Sequence, residues 1–319
     1  MTDLRSKSFS FRAFSGILIF LILSGIGIIG GAFSVFGAET ADIVDYRTFF
    51  GFDPRTTVWI IAELHLMFGA FVLGVPMFAV TVEYVGVLTK EERYDRLAKD
   101  FTRLLSASFA LTAALGGLLT FALFTLYPKV MTFMSGIFHE SFYIYAFFFF
   151  GETFVLYFYY YSWDRLKKRK GIHITAGVLL NIIGLIIMGI SNSWATYMMS
   201  PSGIDPETMK FTGTLMDAIW NPLWNPLNLH RILGNAVFGG YVAGAYAAVK
   251  FLTAQTDEDR AHYDWMGYVG NFIAIVSLLF LPFAGYYLGR EVYSFSPIMG
   301  NNMMGGAFSW TFIIQAIGI

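Results

Sequence analysis

Long apolar runs follow one another along the chain and are separated by short polar segments. A transmembrane α-helix needs about 20 consecutive apolar residues. By that measure the pattern predicts an all-α, polytopic membrane helix bundle with about eight transmembrane helices. The predicted spans are 12–37, 57–88, 100–127, 139–163, 172–199, 228–252, 264–289 and 301–319. We also expect a surface helix in the longest connecting segment, 200–227.

The first apolar run follows a basic start, an arrangement that secretory signal peptides share. Its roughly 25 apolar residues exceed the short apolar core of such a peptide, so we expect a retained helix. The chain is therefore divided into an additional N-terminal transmembrane helix with its outer loop, 1–56, and a helix bundle, 57–319.

The composition supports this class of protein. The chain is 56% hydrophobic and 13% charged, with a mean hydropathy of +0.59, whereas soluble domains carry about 25% charged residues. The formal net charge of -1 predicts no nucleic-acid partner; the expected surroundings are membrane lipid. The absence of cysteine excludes disulfides, iron–sulfur clusters, thiolate metal sites and covalently attached c-type haem from this chain.

Positive charge predicts the orientation of the spans. Most of the 21 basic residues precede the first predicted span or follow the second, fourth and sixth. Cytoplasmic loops of membrane proteins carry an excess of lysine and arginine. We therefore expect those segments, and both termini, on the cytoplasmic side.

Three of the five histidines lie toward the opposite, outer side, on three different predicted helices. His65 lies about 12 Å below the start of its span at 1.5 Å per residue. His139 and His230 lie in the first turns of theirs, whereas His173 and His262 lie at cytoplasmic ends. A lone histidine in a soluble core is most often a hydrogen-bonded core residue. Within a bilayer, a costly polar side chain marks a functional site by default.

Haem fits the three outer histidines better than zinc does. No thiolate or tight cluster of histidine and carboxylate is present for zinc. Imidazole ligates haem iron axially, and aromatic residues, 18% of this chain, can line the macrocycle. The aromatic run 145–163 would equally suit lipid-facing packing, so it does not decide the question.

Glu83 and Glu152 are two of the carboxylates within the apolar spans. An interior carboxylate is either protonated or paired. Glu83, near the inner end of its span, could extend to the cytoplasmic surface or handle protons. Glu152 lies in the middle of its span and cannot easily reach water, so we expect it to handle protons or to lie at a haem.

Four stretches, in this order, carry a resemblance to a known family. They are TVWIIAELHLMFGAFVLGVPMFAVTVEY from residue 57, GETFVLYFYYYSWDRL from 151, SNSWATYMMSPSG from 191 and NPLWNPLNLHRILGNAVFGGYVAGAY from 221. Together they resemble subunit I of cytochrome bd-type quinol oxidases over about 57–250. No single motif is highly specific to this family, but the occurrence of all four motifs in the family's order is.

The resemblance implies one to three b haems and a quinone or quinol. His65 matches the histidine that ligates a haem of the oxygen-reducing pair. His230 matches the ligand of the low-spin b haem near the quinol site. In GNNMMGG, Met303 is the chosen second ligand of that low-spin haem, with Met304 and Met299 as rivals.

The resemblance also assigns carboxylates. Glu152 matches the second of two carboxylates in the family's third helix, whereas the first falls here on Ile144 or Tyr145. His139 and Glu140 lie about one turn earlier.

These matches give the candidate catalytic residues and a further haem ligand. The candidate proton-handling residues are Glu83, Glu140 and Glu152. His139 is a candidate sixth ligand for the haem held by His65, and the resulting site would be closed to oxygen. The alternatives are an open haem at His65, with His139 binding only a propionate, and no haem at His65.

Two departures from the family pattern affect the expected function. Only GYYLGREVYSFSPIMGN, from residue 285, stands where the family has a long quinol-binding loop, and the equivalents of the family's last helices do not appear. We therefore expect the low-spin haem half to be retained and the oxygen-reducing half to be altered.

The resemblance thus implies a membrane haem-b electron-transfer subunit of a quinol-oxidising or quinone-reducing respiratory complex. Its expected place is a prokaryotic cytoplasmic membrane, with the haem ligands toward the outer side. Expected partners are quinol, other membrane subunits and an outer-side redox protein. Two alternatives stay open: an oxygen-reducing oxidase subunit completed by another chain, and a haem-poor membrane anchor subunit.

Overall fold

The computed structural model describes residues 51–306, 310, 313 and 314. Over 51–306 the chain forms helices joined by short segments, with one isolated antiparallel bridge between Ile204 and Phe211. The helices are α1 Pro54–Thr89, α2 Glu92–Leu126, α3 Pro128–Tyr161, α4 Lys170–Met199, α5 Leu215–Ile219, α6 Trp224–Thr253, α7 Asp257–Phe295 and α8 Pro297–Met304.

Six of these helices, α1 to α4, α6 and α7, are long and apolar enough to cross a membrane. The all-α, multi-pass character predicted from the apolar runs is therefore confirmed. Several helices extend beyond the predicted spans; α2 begins at Glu92 and not at residue 100. Helical hydrogen bonding continues into charged turns, whereas an apolar run marks only the part suited to hydrocarbon.

Some predictions fall outside the described residues. These are the additional span 12–37, residues 1–50 of the predicted N-terminal region 1–56, and both termini. The predicted span 301–319 is described only in part: residues 301–304 belong to α8, which begins at Pro297. The eight-span count therefore stays a prediction.

The chain divides into two compact units, Met1–His65 with Ala113–Phe133, and Leu66–Thr112 with Met134–Ile319. In the first unit a small buried cluster joins α1 to α2 through Ile61, Ala122 and Leu126. In the second unit a larger apolar core unites α1 to α4, α6 and α7; its large side chains include Phe71, Phe101, Phe109, Leu156, Trp163 and Met266.

Small residues allow α6 and α7 to pack closely in the second unit. A Cβ at Gly240 would lie 2.7 Å from the carbonyl oxygen of Gly270, and one at Gly270 would lie 2.9 Å from that of Gly240. Between membrane helices, association relies on such close packing, because lipid offers no hydrophobic driving force. This interface fixes α7 against the helix that carries His230.

The segment before α6 is held by a hydrogen-bonded asparagine. The side chain of Asn221 donates to Thr196 Oγ1 at 2.9 Å, and its oxygen accepts from the backbone N–H of Leu223 at 3.2 Å. The surface helix predicted within 200–227 is confirmed as α5, which starts at a capping box between Thr214 and Asp217. Together these contacts set where α6 begins.

Candidate functional site

The predicted site residues are distributed over both units. His65 belongs to the first unit. The second unit contains the other six, which are Glu83, His139, Glu140, Glu152, His230 and Met303. No group of three or more histidine, aspartate or glutamate side chains in the described part is arranged to hold a metal ion.

His65 lies on α1 and packs against α2 within the first unit. Its half-buried ring lies so close to Gly116 that a Cβ there would be 2.9 Å from Cε1 of the histidine. Glycine at 116 therefore leaves the space that the ring occupies. A larger residue would displace the imidazole.

His139 and Glu140 are exposed side chains on α3. The His139 ring meets Tyr143, one helical turn later, edge to face at 5.1 Å between centroids. In the second unit, His139 is thus a surface residue beside an aromatic ring and not part of a buried ligand set.

His230 lies in α6 with its ring against α7. A Cβ at Gly285 would lie 3.5 Å from Cε1 of the histidine. The Nδ1 atom is buried and has no hydrogen-bond partner among the described residues. Buried polar atoms are normally hydrogen-bonded, so this ring has bonding capacity that the described side chains do not use.

A chain of polar side chains runs beside His230. Arg231 Nη1 donates to Asn192 Oδ1 at 2.5 Å, and Asn192 Nδ2 donates to Asn228 Oδ1 at 2.8 Å. Asn228 Nδ2 in turn donates to the carbonyl of Trp224 at 2.8 Å. Asn192 is wholly buried, so α4 fixes a guanidinium next to the candidate ligand.

The residues around His230 fit a haem in their chemistry. An imidazole is a usual axial ligand of haem iron, and a guanidinium is suited to a haem propionate. We call His230, Arg231, Asn192 and Gly285 the His230 site.

Met303 lies on α8, which follows α7 after a tight turn. Its side chain is half-buried. The turn is capped by Ser296, whose hydroxyl accepts from the backbone N–H of Met299 at 3.3 Å. A Cβ at Gly300 would lie 2.7 Å from Cα of Tyr293, so glycine permits α8 to approach the end of α7.

Glu152 borders a small polar cavity of about 10 Å³ between α1, α3 and α4. Asn181 also lines it, and its Oδ1 is buried without a hydrogen-bond partner in the described part of the chain. Pro76 has no N–H, which leaves the carbonyl of Val72 without its helical donor. A cavity of this size and polarity suits a single water molecule.

Glu83 is fully buried, so the alternative in which it extends to the surface is wrong. Its carboxylate accepts from the Tyr159 hydroxyl at 2.7 Å and from Lys170 Nζ at 2.8 Å, and it meets His173 Nδ1 at 2.7 Å. Lys170 also forms an ion pair with Asp95. These five residues are the Glu83 cluster, which joins the ends of four helices.

Several of these residues were not identified from the sequence as site residues. Asn192 lies within the motif SNSW, and Arg231 is one of the few basic residues away from the segments rich in positive charge; both features were signals that could have indicated a role. Asn181 and Gly285 give no such signal, because only packing brings them to Glu152 and His230.

Comparison with known proteins identifies the family to which the sequence is similar. A family model described as cytochrome bd terminal oxidase subunit I matches residues 54–306. A putative cytochrome bd menaquinol oxidase subunit I from Bacillus subtilis (strain 168) is 24% identical over 218 residues, which are 68% of this chain and 47% of that protein.

A solved structure shows the same fold. The bd oxidase from Geobacillus thermodenitrificans matches with a TM-score of 0.67 at 20% identity, over 77% of this chain and 57% of that chain. The chain therefore spans about half the length of these two relatives.

Proposed function

The chain belongs to the cytochrome bd terminal oxidase subunit I family, and from that premise we propose that it is a membrane haem-b electron-transfer subunit of a respiratory complex. The complex would oxidise quinol or reduce quinone, which makes the chain part of a quinol oxidoreductase. The observation that carries the proposal is the half-buried imidazole of His230, whose Nδ1 atom is buried and has no hydrogen-bond partner in the described part of the chain.

His230 and Met303 would hold one b haem. A haem bound there supplies reversible one-electron chemistry. A haem held by both side chains would have no open position, which would suit electron transfer and not oxygen binding. Met304 and Met299 remain the rival ligands.

Arg231 would bind a propionate of that haem. The guanidinium presents several N–H donors in a planar fork, and Asn192 fixes its position through the 2.5 Å hydrogen bond. A carboxylate held in this way would orient the haem about the His230 ligand. Gly285 contributes by leaving the ring free of a neighbouring side chain.

His65 is the proposed ligand of a second haem, and His139 is a further proposed haem ligand. A haem with two histidine ligands has no vacant position, so it would transfer electrons without reducing oxygen. An open haem at His65 is the alternative, and it would correspond to an oxygen-reducing subunit.

Glu83, Glu140 and Glu152 are the proposed proton-handling residues of the reaction. Oxidation of a quinol releases two electrons and two protons. Glu140 is exposed and could take a proton at the membrane surface, whereas Glu152 is buried beside the small polar cavity. A water in that cavity could bridge Glu152 and Asn181.

The proposed setting is a prokaryotic cytoplasmic membrane, with the haem ligands toward the outer side. Other membrane subunits and an outer-side redox protein are the proposed partners. The positive-charge pattern supports the orientation, and the family supports a multi-subunit complex.

Haem content and ligand spectroscopy of the purified protein test the proposal. Pyridine haemochrome analysis should find b haem, and the reduced protein should show a sharp low-spin α band. Carbon monoxide binding to the reduced protein would instead indicate an open, oxygen-reducing site. Absence of haem after mild extraction from a haem-replete host would refute the electron-transfer proposal and favour the anchor subunit.

A further inference from the structure

The Glu83 cluster connects a fully buried pair of side chains to partly exposed ones. The side chains of Glu83 and His173 are 0% exposed, that of Lys170 is 17% exposed and that of Asp95 is 27% exposed. Lys170 Nζ bonds to both carboxylates. The hydrogen-bonded order is therefore His173, Glu83, Lys170, Asp95 and then solvent.

Both ring nitrogens of His173 face oxygen atoms. Nε2 lies 2.8 Å from the carbonyl oxygen of Tyr159, which can only accept, so Nε2 must carry a hydrogen. Nδ1 lies 2.7 Å from Glu83 Oε1. Two acceptors at that distance would repel each other, so one proton must lie in the contact between Glu83 and His173.

Neighbouring groups favour this proton on the histidine. Glu83 Oε1 also accepts from Lys170 Nζ at 2.8 Å, and Oε2 accepts from the Tyr159 hydroxyl, so the ionised carboxylate is well satisfied. The Tyr159 ring stacks on the His173 ring at 4.3 Å between centroids. An aromatic face attracts a cation, which favours the imidazolium form.

The charge balance agrees with an imidazolium. Lys170 and a protonated His173 match the two carboxylates of Glu83 and Asp95. With a neutral His173, the cluster would carry one uncompensated negative charge in a buried position, which is costly. Asp164, which also interacts with Lys170, is exposed and is paired with Lys99 at 2.8 Å.

We propose that the Glu83 cluster is a proton-binding site, in which Glu83 and His173 hold one proton and exchange it with water through Lys170 and Asp95. On release, one proton leaves Nδ1 of His173 and reaches water, and His173 becomes neutral. Glu83 Oε1, Lys170 Nζ and Asp95 Oδ1 each accept one proton and pass one on, so their own charges are unchanged. Glu83 is also a candidate proton-handling residue of the function proposed above, but the site contains none of the candidate haem ligands, so its proton binding can be measured whether or not the chain transfers electrons.

Nitrogen-15 NMR of the full-length protein, labelled at histidine and held in lipid nanodiscs, tests the bound proton. Five histidines occur in the chain, so the His173 signal can be assigned from its loss in His173→Gln. We expect both ring nitrogens of His173 to be protonated at neutral pH, and the imidazolium signal to be lost in Glu83→Gln. A neutral His173 ring in the unaltered protein would overturn the proposal.

His262 provides the matched control for that experiment. Its Nε2 meets Asp100 Oδ2 at 2.9 Å, on helices α7 and α2, so it is also a histidine beside a carboxylate. Its signal should not change in Glu83→Gln. A change in both histidines would show a general loss of structure, and the conservative variant Glu83→Asp should then restore the His173 imidazolium if the site is real.

Exchange of the hydrogen on His173 Nδ1 with deuterated water tests the proposed proton route through Lys170 and Asp95. Asp95→Asn keeps the shape of the side chain but cannot relay a proton, so exchange at His173 Nδ1 should slow by about 100-fold. Lys170→Met should have the same effect. Unchanged exchange in both variants would overturn the proton route through Lys170 and Asp95. A His173 imidazolium that does not exchange even in the unaltered protein would overturn the proposal and show a fixed ion pair instead.

Discussion

The Glu83 cluster and the His230 site are both polar groups inside the second unit, but they differ in how their hydrogen bonds are satisfied. Glu83 has three polar partners, and both nitrogens of His173 have one. By contrast, Nδ1 of His230 is buried with no partner among the described residues.

This difference indicates that the buried polar groups of the two sites have different roles. A fully satisfied network is stable with protein atoms alone, and it joins the helix ends that provide its members. A buried nitrogen without a partner is stable only if something else contributes the missing interaction. The His230 site is therefore the place to expect a cofactor, and the Glu83 cluster the place to expect protons only.

The largest predicted effect on stability is at Glu83. Glu83→Ala would leave the buried His173 without its carboxylate and Lys170 with Asp95 alone, at a cost of about 3–5 kcal/mol in the free energy of unfolding. Thermal unfolding in detergent measures it. Glu91→Ala, which removes an exposed partner of Arg93, is the control and should change stability by less than about 1 kcal/mol. Equal effects of the two variants would contradict the comparison.

Trp163→Phe should have a smaller effect on the same cluster. The indole Nε1 donates to Asp95 Oδ2 at 3.2 Å, and Lys170 Nζ lies 4.7 Å from the indole ring. Loss of that hydrogen bond and of part of the cation–π contact should cost about 1–2 kcal/mol. The same unfolding assay reports it, and a variant as stable as the parent would show that Asp95 is held without the indole.

Asn181→Leu should be close to neutral for stability. The change removes an amide whose Oδ1 has no partner within the described part, although it also removes the 2.9 Å hydrogen bond from Nδ2 to the carbonyl of Gly177. We expect a change within about 1 kcal/mol, because replacing an unsatisfied polar group costs little. A loss as large as that of Glu83→Ala would mean that the cavity beside Glu152 is as well satisfied as the Glu83 cluster.

Gly285→Ala should leave folding stability unchanged, within about 0.5 kcal/mol, but reduce haem binding. The new methyl group would lie 3.5 Å from Cε1 of His230, an ordinary contact in the protein alone, yet it would occupy space beside the proposed ligand. The ratio of haem to protein measures the effect. Gly267→Ala, on the same helix and 3.6 Å from Ala247 Cβ, is the control and should keep the full ratio.

The sequence predicted the six described spans because apolar runs of this length are typical of transmembrane helices. It also predicted the family, because motifs around His65, Glu152 and His230 kept their order. The Glu83 cluster was not predicted, since Glu83 and His173 are 90 positions apart and only the packing of α1 against α4 brings them together. The buried state of Glu83 could not be derived from its position near the end of an apolar run.

The reduced-minus-oxidised spectrum of His230→Ala, compared with the parent and with His262→Ala, tests the central claim most directly. His262 is a histidine of the same unit that has a carboxylate partner, so its loss should leave the haem spectrum intact. We predict that the low-spin b-haem α band is present in the parent and in His262→Ala and is lost in His230→Ala. A parent-like band in a folded His230→Ala protein would contradict the account.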